Sequence, residues 1–395
     1  MARIISVLRS SALRRSILVA VAVAAAAVMW SARADDVAIA PEQTVVSEEH
    51  TFRVMLLTRG LEHPWALAFL PDGRMLVTER PGRLRVLSPQ GRVDPRPVAG
   101  VPAVVASGQG GLLDVALHPR FADNALVYLS YAGGERGRSG TEVARGRLVG
   151  GRLEDVTVIF RLEPKSGGTV HFGSRLVFDR QGRLFVTLGE RGEMERAQRL
   201  DDHAGSVVRI EADGRVPADN PFVGRPGARA EIYSVGNRNV QGAALHPVTG
   251  DLWTHEHGPQ GGDEVNVIRA GRNYGWPVIT YGAQYGTGFR IGEGTHKAGM
   301  EQPLHHWVPS IAPSGLTFYS GDRFPRWRGD VFVGALRDRL LVRLRFDGER
   351  LVKEERMLEG TLGRIRDVRS GPDGYLYLLT DAADGALVRL EPAAR

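Results

Sequence analysis

Several short stretches of the chain carry side chains that could do chemistry. His171 opens the run His171-Phe172-Gly173-Ser174-Arg175, and Glu190 stands further on in Thr187-Leu188-Gly189-Glu190-Arg191-Gly192. An imidazole beside a carboxylate is a general base, because the carboxylate fixes the ring tautomer and raises its basicity. A histidine alone is more often structural than catalytic; Glu190 is what singles this one out. Gln109 lies in Gly108-Gln109-Gly110-Gly111, and Arg238 and Asn239 in Asn237-Arg238-Asn239-Val240-Gln241-Gly242. Arg364 opens Arg364-Ile365-Arg366-Asp367. Guanidinium forks bind carboxylates and phosphates bidentately, so these motifs point to a ligand with several anionic groups.

The richest run is His255-Glu256-His257-Gly258-Pro259-Gln260-Gly261-Gly262-Asp263-Glu264-Val265-Asn266, followed by Asn273-Tyr274-Gly275-Trp276-Pro277. His255 and His257 alternate and would share one face of a strand, but two ligands do not make a zinc site. Carboxylates beside Gly-Pro carbonyls suit a hard cation such as Ca²⁺ better, although the spacing is not that of an EF-hand. No Cys is present, which removes disulfides, thiolate metal sites, haem c attachment and a cysteine nucleophile.

Whether these groups meet depends on the elements that carry them. One pattern recurs: a short apolar strand, a turn of Pro, Asp, Gly or His-Pro, and a second apolar strand. Its copies begin at Trp65, Leu112, Leu176, Gly242, Gly315 and Val368, with turns near Pro71, Pro119, Arg180, Pro247, Gly321 and Pro372. Period-two alternation bounded by such turns predicts β-hairpins. The gaps leave room for four short strands per copy, and no stretch has the period of a long amphipathic helix. The expectation is an all-β, six-bladed β-propeller of four-stranded antiparallel blades. Two stacked β-sandwiches would use the same hairpins. No Pro-, Gly- or Ser-rich linker divides the chain, so residues 35–395 read as one domain. In a propeller, equivalent positions of each blade surround the axis. Gln109, His171, Arg238-Asn239 and Arg364 each stand just ahead of a first strand and would converge on one face. The connections 200–226 and 280–306 are long and rich in Gly, polar and aromatic residues, as functional loops are.

Residues 1–34 read differently. Arg3, Arg9, Arg14 and Arg15 precede an apolar run from Ile17 to Met29, and Ala32-Arg33-Ala34 follows. A basic start, a short apolar core and a small-x-small site describe a secretory signal peptide cleaved after Ala34. The run is short for a spanning helix. The formal charge of +6 over 395 residues then drops to +1, because all five Arg of the leader leave with it. The remaining Arg and acidic residues are interspersed, which argues against nucleic acid as a partner. The mature protein is expected in the periplasm, without a membrane span.

The motifs resemble those of the soluble PQQ-dependent sugar dehydrogenases, the aldose sugar dehydrogenase branch in particular, related to soluble glucose dehydrogenase. The resemblance runs from about Gly60 to Glu391 and rests on the 108–115, 171–178, 236–242, 256–266, 273–277 and 364–374 segments in order. It implies a propeller with PQQ on its top face and His171 as the base for the sugar C1 hydroxyl. It implies that Arg238, Arg364 and Arg366 contact the cofactor, with Ile365 in the same motif. Gln109, Asn239, Tyr285 and the stretch Ala335-Leu336-Arg337 match further cofactor positions. The carbonyls of Gly258 and Pro259 match ligands of a Ca²⁺ that polarises the quinone, and Glu264 with the Tyr274 carbonyl matches a second calcium site. Two departures stand out: Arg337 replaces a common Lys, and Ser174 a common Gly. The resemblance implies oxidation of an aldose at C1 to the lactone. The chain has no haem motif, so electrons would leave to an external acceptor. A calcium-dependent lactonase or esterase on the same scaffold is the alternative, and it would not need several Arg around one pocket. A third reading, a propeller that only binds a partner protein, would not need the His171–Glu190 pair.

Overall fold

The structure, a computed structural model, describes residues 37–393. The expected signal peptide therefore lies outside the described residues. The propeller begins at Ile39. Its first strands, β1 (Glu42–Val46) and β2 (Thr51–Leu61), do not start the first blade. They close the last one.

Blade 1 is β3 (Pro64–Phe69), β4 (Met75–Glu79) and β5 (Arg83–Leu87). Blade 2 is β6 (Leu112–Leu117), β7 (Leu126–Glu135), β8 (Arg138–Val149) and β9 (Arg152–Arg161). Blade 3 is β10 (Gly173–Phe178), β11 (Leu184–Leu188), β12 (Val207–Ile210) and β13 (Ile232–Ser234). Blade 4 is β14 (Val240–Leu245), β15 (Leu252–Glu256), β16 (Asp263–Ile268) and β17 (His305–Trp307). Blade 5 is β18 (Pro313–Phe318), β19 (Val331–Ala335), β20 (Leu341–Asp347) and β21 (Arg350–Met357). Blade 6 joins β22 (Ile365–Ser370), β23 (Leu376–Thr380) and β24 (Gly385–Pro392) to β2, with β1 as a fifth strand outside it. Every pairing within a blade is antiparallel, and all six expected hairpins are present as inner-strand pairs.

Two blades depart from the four-strand expectation. Blade 1 has three strands, because the chain after Leu87 reaches the β5 edge only through the Asp94 and Val98 amides, which donate to Val86 and Leu84. Pro95 and Pro97 in that stretch have no amide to donate, so a continuous fourth strand is not available. Blade 6 is sewn from both ends of the chain, with Phe52 opposite Pro392 and Leu61 opposite Gly385. That pairing closes the ring.

Apolar clusters fill the spaces between neighbouring blades. Trp65, Leu76, Leu84, Leu112 and Leu129 form one between blades 1 and 2. Each fully buried side chain of this kind contributes roughly 1.5–3 kcal/mol.

The axis is closed by charge rather than by apolar packing. Arg175, 2% exposed, lies 3.4 Å from Asp114 and 3.0 Å from Asp367. Arg369 reaches the same two carboxylates at 3.0 and 2.8 Å. The second oxygen of Asp114 accepts the Leu176 amide at 2.8 Å, and Asp367 accepts the Leu67 amide at 3.1 Å. Arg175 Nε donates to the Gln241 carbonyl at 2.7 Å. Two cations and two anions thus tie blades 1, 2, 3, 4 and 6 across the centre. Breaking such a buried pair leaves charges without partners. Arg175→Met should cost about 3–5 kcal/mol of stability, seen as a lower thermal midpoint; a midpoint equal to that of the parent would show that the axial charges do not hold the ring.

Candidate active site

Each inner strand carries one extra residue against its partner, at the same end of the blade. The bulges fall at Trp65 in β3, Leu113-Asp114 in β6, Ser174-Arg175 in β10, Gln241 in β14, Ser314-Gly315 in β18 and Arg366 in β22. A bulge re-aims the side chain it inserts. Trp65, Leu113, Gln241 and Arg366 line a cavity of about 260 Å³, together with Arg80, Gln109, Phe172, Gly173, His257, Ala312, Leu336, Arg364 and Asp381. The axial charges continue directly from this lining: the Arg175 guanidinium packs on the Trp65 ring at 4.2 Å.

His171 adjoins the lining through Phe172 and Gly173. Its Nδ1 is 2.9 Å from Glu190 Oε2. The carboxylate accepts, so Nδ1 carries the hydrogen and Nε2 is left as the basic nitrogen. The backbone here is held in the left-handed region, with φ 53°. It is fixed by the Gln109 side-chain oxygen, which accepts the His171 amide at 2.8 Å. Arg191 binds the carbonyls of Gly168 and Val170 and covers the Phe172 ring at 3.4 Å, which pins the loop from below. Gly189 is required: a Cβ there would meet the His171 carbonyl oxygen at 2.1 Å. Burial holds the His171 pKa below its usual value, outweighing the Glu190 hydrogen bond that raises it. The ring is therefore neutral near pH 7, the state a base needs.

The cavity is cationic. Arg80, Arg364 and Arg366 face it against one carboxylate, Asp381. Asp381 binds Arg366 at 2.6 Å and Arg364 at 3.3 Å, and its carboxyl is held well below the usual range despite its burial, chiefly by the Arg366 charge. Two donors beside this group, Arg366 Nε and Asn239 Nδ2, are buried without a hydrogen-bond partner among the described residues. Buried donors of this kind are costly unless something accepts from them. The donor set fits a ligand rich in carboxylates.

Beside the cavity the signs reverse. Arg238 Nη1 donates to the carbonyls of Gly258 at 2.7 Å and His257 at 3.1 Å, so these dipoles already converge on a positive group. Beyond them a void of about 10 Å³ is lined by Glu256, Gly258, Glu264, Tyr274 and Thr280 among others. Glu256 and Glu264 face each other across β15 and β16. Burial raises both carboxyls above their usual range, and for Glu264 the Glu256 charge adds to it. Arg238 also lines this void, and among the described residues no group of three or more His, Asp or Glu side chains is placed to hold a metal ion. His255 and His257 do not form a zinc pair: His255 Nε2 faces the Gly315 carbonyl at 3.4 Å and His257 Nε2 the Pro313 carbonyl at 2.6 Å, and no metal-holding group is found among the described residues.

Of the sequence candidates, Gln109, Leu336, Arg364 and Arg366 line the cavity, His171 with Glu190 adjoins it beside Phe172, Asn239 bonds the lining residues Gly173 and Gln241, and Arg238 lines the neighbouring small void. Other candidates stand apart. Tyr285 is 63% exposed on a turn where Gln284 bonds Phe289. Arg337 points to Asp338 and the Ser310 carbonyl. Ile365 and Ala335 are core residues. Trp65, Arg80, Gln241 and Asp381 line the cavity but were not singled out from sequence. One signal could have found Asp381. An acidic residue ends or follows the second strand in five blades, as Glu79, Glu135, Glu190, Glu256 and Asp381.

Comparison with known proteins gives a consistent result. The profile of the glucose/sorbosone dehydrogenase family matches residues 61–389. Aldose sugar dehydrogenase YliI of Escherichia coli K12 is 47% identical over 348 residues, which cover 87% of this chain and 93% of that protein. A crystal structure described as glucose dehydrogenase superposes with a TM-score of 0.83 at 52% identity, covering 87% of this chain and 99% of that one. The PQQ-bound aldose sugar dehydrogenase of Streptomyces coelicolor superposes with a TM-score of 0.70 at 29% identity, covering 90% and 99%.

The His171 environment can be measured directly. An NMR pH titration of its ring should give a midpoint below 6.5, and Glu190→Gln should lower it further by removing the group that favours the cation. A midpoint at or above 6.5 would contradict the geometry.

Proposed function

The chain belongs to the glucose/sorbosone dehydrogenase family, and on that footing we propose that it is a PQQ-dependent aldose sugar dehydrogenase. The reaction is oxidation of an aldose at C1 to the lactone, with electrons passed on to an external acceptor. The observation that carries this reading is the cavity itself: three guanidiniums against one carboxylate, two orphaned buried donors, and a neutral His171 alongside. PQQ, a planar quinone with three carboxylates, supplies the hydride acceptor when bound, and a Ca²⁺ beside it polarises the quinone.

The protein's own part is position and charge. Arg364, Arg366, Arg238, Gln109 and Asn239 would hold the cofactor, the guanidiniums by charge-assisted pairs with its carboxylates. His171 Nε2 takes the proton of the sugar C1 hydroxyl, and Glu190 stabilises the imidazolium that results. The hydride leaves C1 as that proton leaves oxygen, so the hemiacetal becomes a lactone. Gly258 and Pro259 would supply carbonyls to the Ca²⁺ at the cofactor, and Glu264 with the Tyr274 carbonyl would hold a second ion. Tyr285 and Arg337 would need to move to reach a bound cofactor. The basic start, apolar run and small-x-small site of residues 1–34 support export of the enzyme to the periplasm. Among the described residues no helix is long and apolar enough to cross a membrane.

A lactonase on this scaffold would leave the three cavity guanidiniums without an anion. Reconstitution separates the readings. Apoprotein given PQQ, Ca²⁺, an aldose and a dye acceptor should reduce the dye, and omission of PQQ or chelation of Ca²⁺ should abolish it. Lactone hydrolysis without dye reduction would favour the alternative. His171→Ala should bind PQQ as the parent does and lose about 10²–10⁴-fold in turnover, the usual contribution of a general base. Unchanged turnover would remove His171 from that role.

A further inference from the structure

Arg80 shares the cavity with Arg364 and Arg366 but differs from them in its partners. The other two are tied to Asp381. Among the described residues, no carboxylate lies within ion-pair distance of Arg80, and its Nη1 donates only to the Gly108 carbonyl, at 3.2 Å. It is half-exposed at the end of β4, where solvent and cavity meet.

The stem of Arg80 is fixed while its fork has capacity to spare. The Leu112 amide donates to the Arg80 carbonyl at 2.9 Å. Gly111 packs so closely that a Cβ would lie 2.0 Å from that carbonyl oxygen. This places the Arg80 side chain along the 108–109 turn, whose Gln109 holds the His171 amide. A guanidinium offers five donors, and here one bond is made. Burial chiefly disfavours the cationic form of Arg366 and Asp381 opposes it, while the charges of Arg364 and, to a smaller extent, Arg80 add to the effect of burial. Without a ligand, three guanidiniums share the single carboxylate of the lining, Asp381, which pairs with Arg364 and Arg366 and leaves Arg80 without an acid among the described residues. A multi-anionic ligand seated on Arg364 and Arg366 would relieve all three.

We propose that Arg80 is a further anchoring residue of the cavity, binding a carboxylate of the cofactor beside those held by Arg364 and Arg366. This rests on the PQQ reading. It also ties the anchor to the base, because Arg80 and His171 are held by the two adjacent residues of one turn, Gly108 and Gln109.

The test is a titration of apoprotein with PQQ in the presence of Ca²⁺, followed by quenching of intrinsic tryptophan fluorescence, for the parent, Arg80→Gln and Arg80→Lys. The thermal midpoint of each apoprotein is measured alongside. Arg80→Gln should weaken PQQ binding roughly tenfold to a hundredfold, the range for losing a charged hydrogen-bonded pair. Arg80→Lys should lose less. The apo midpoint of Arg80→Gln should equal or exceed that of the parent, because a repulsion is removed. PQQ affinity within twofold of the parent would overturn the assignment. So would a weakening accompanied by a lower apo midpoint, which would mark Arg80 as structural. An effect confined to turnover of uronic acids, with PQQ affinity unchanged, would overturn it by placing the carboxylate on the substrate. If the parent itself shows no saturable PQQ binding, the cofactor reading fails and this one with it.

Discussion

Arg175 is buried at the centre of the ring, and a buried charge must be matched. That requirement organises much of the rest. Asp114 from blade 2 and Asp367 from blade 6 meet it, and Arg369 balances the pair of acids. The residues concerned sit at or beside the bulges of the inner strands, so the same irregularity that brings the charges to the axis turns Trp65, Gln241 and Arg366 into the cavity above. A regular ladder would send alternate residues into the spaces between blades, where charge has no partner. One inserted residue per blade gives the propeller both its seal and its site.

Above the seal, sign separation does the work. Cations line the cavity, and carboxylates and carbonyls gather behind it in the 256–264 segment, with Arg238 between them bonded to the Gly258 carbonyl. An anionic cofactor and a hard cation would each relieve one side. Neither region is stable-looking by itself: one holds orphaned donors, the other buried carboxyls pushed toward protonation. Such tension at a functional site is what proteins tolerate in exchange for preorganisation.

The sequence was most informative where chemistry and hairpin coincide. His171 and Glu190 flank β10 and β11, and antiparallel pairing brings the ends of a hairpin together, so their contact follows from local geometry. The six blades were legible because each repeats the same strand–turn–strand pattern. Arg364 and Arg366 stand out as a motif, and Asp381 closes the same end of the β22–β23 hairpin, so the geometry that pairs Glu190 with His171 also pairs Asp381 with these arginines. Trp65 and Gln241 were missed because a bulge leaves no mark in hydrophobic periodicity. Arg80 stands in no motif of the sequence; only its neighbours across the blade 1–blade 2 boundary distinguish it. Tyr285 and Arg337 matched family positions, but the structure places both away from the cavity. The blade count was right while the strand count of blade 1 was not, because Pro95 and Pro97 deny it a continuous outer strand.

On the proposed function, the cofactor in this cavity and His171 together would remove a hydride and a proton from one carbon–oxygen unit of a sugar. The most direct measurement is the rate of aldose oxidation by the reconstituted enzyme with hydrogen or deuterium at C1, under conditions where a single turnover is observed. Deuterium at C1 should slow the reaction several-fold, and deuterium at C2 should leave it unchanged. Equal rates for the C1-protio and C1-deuterio sugars, with lactone ring opening as the only chemistry seen, would contradict the account.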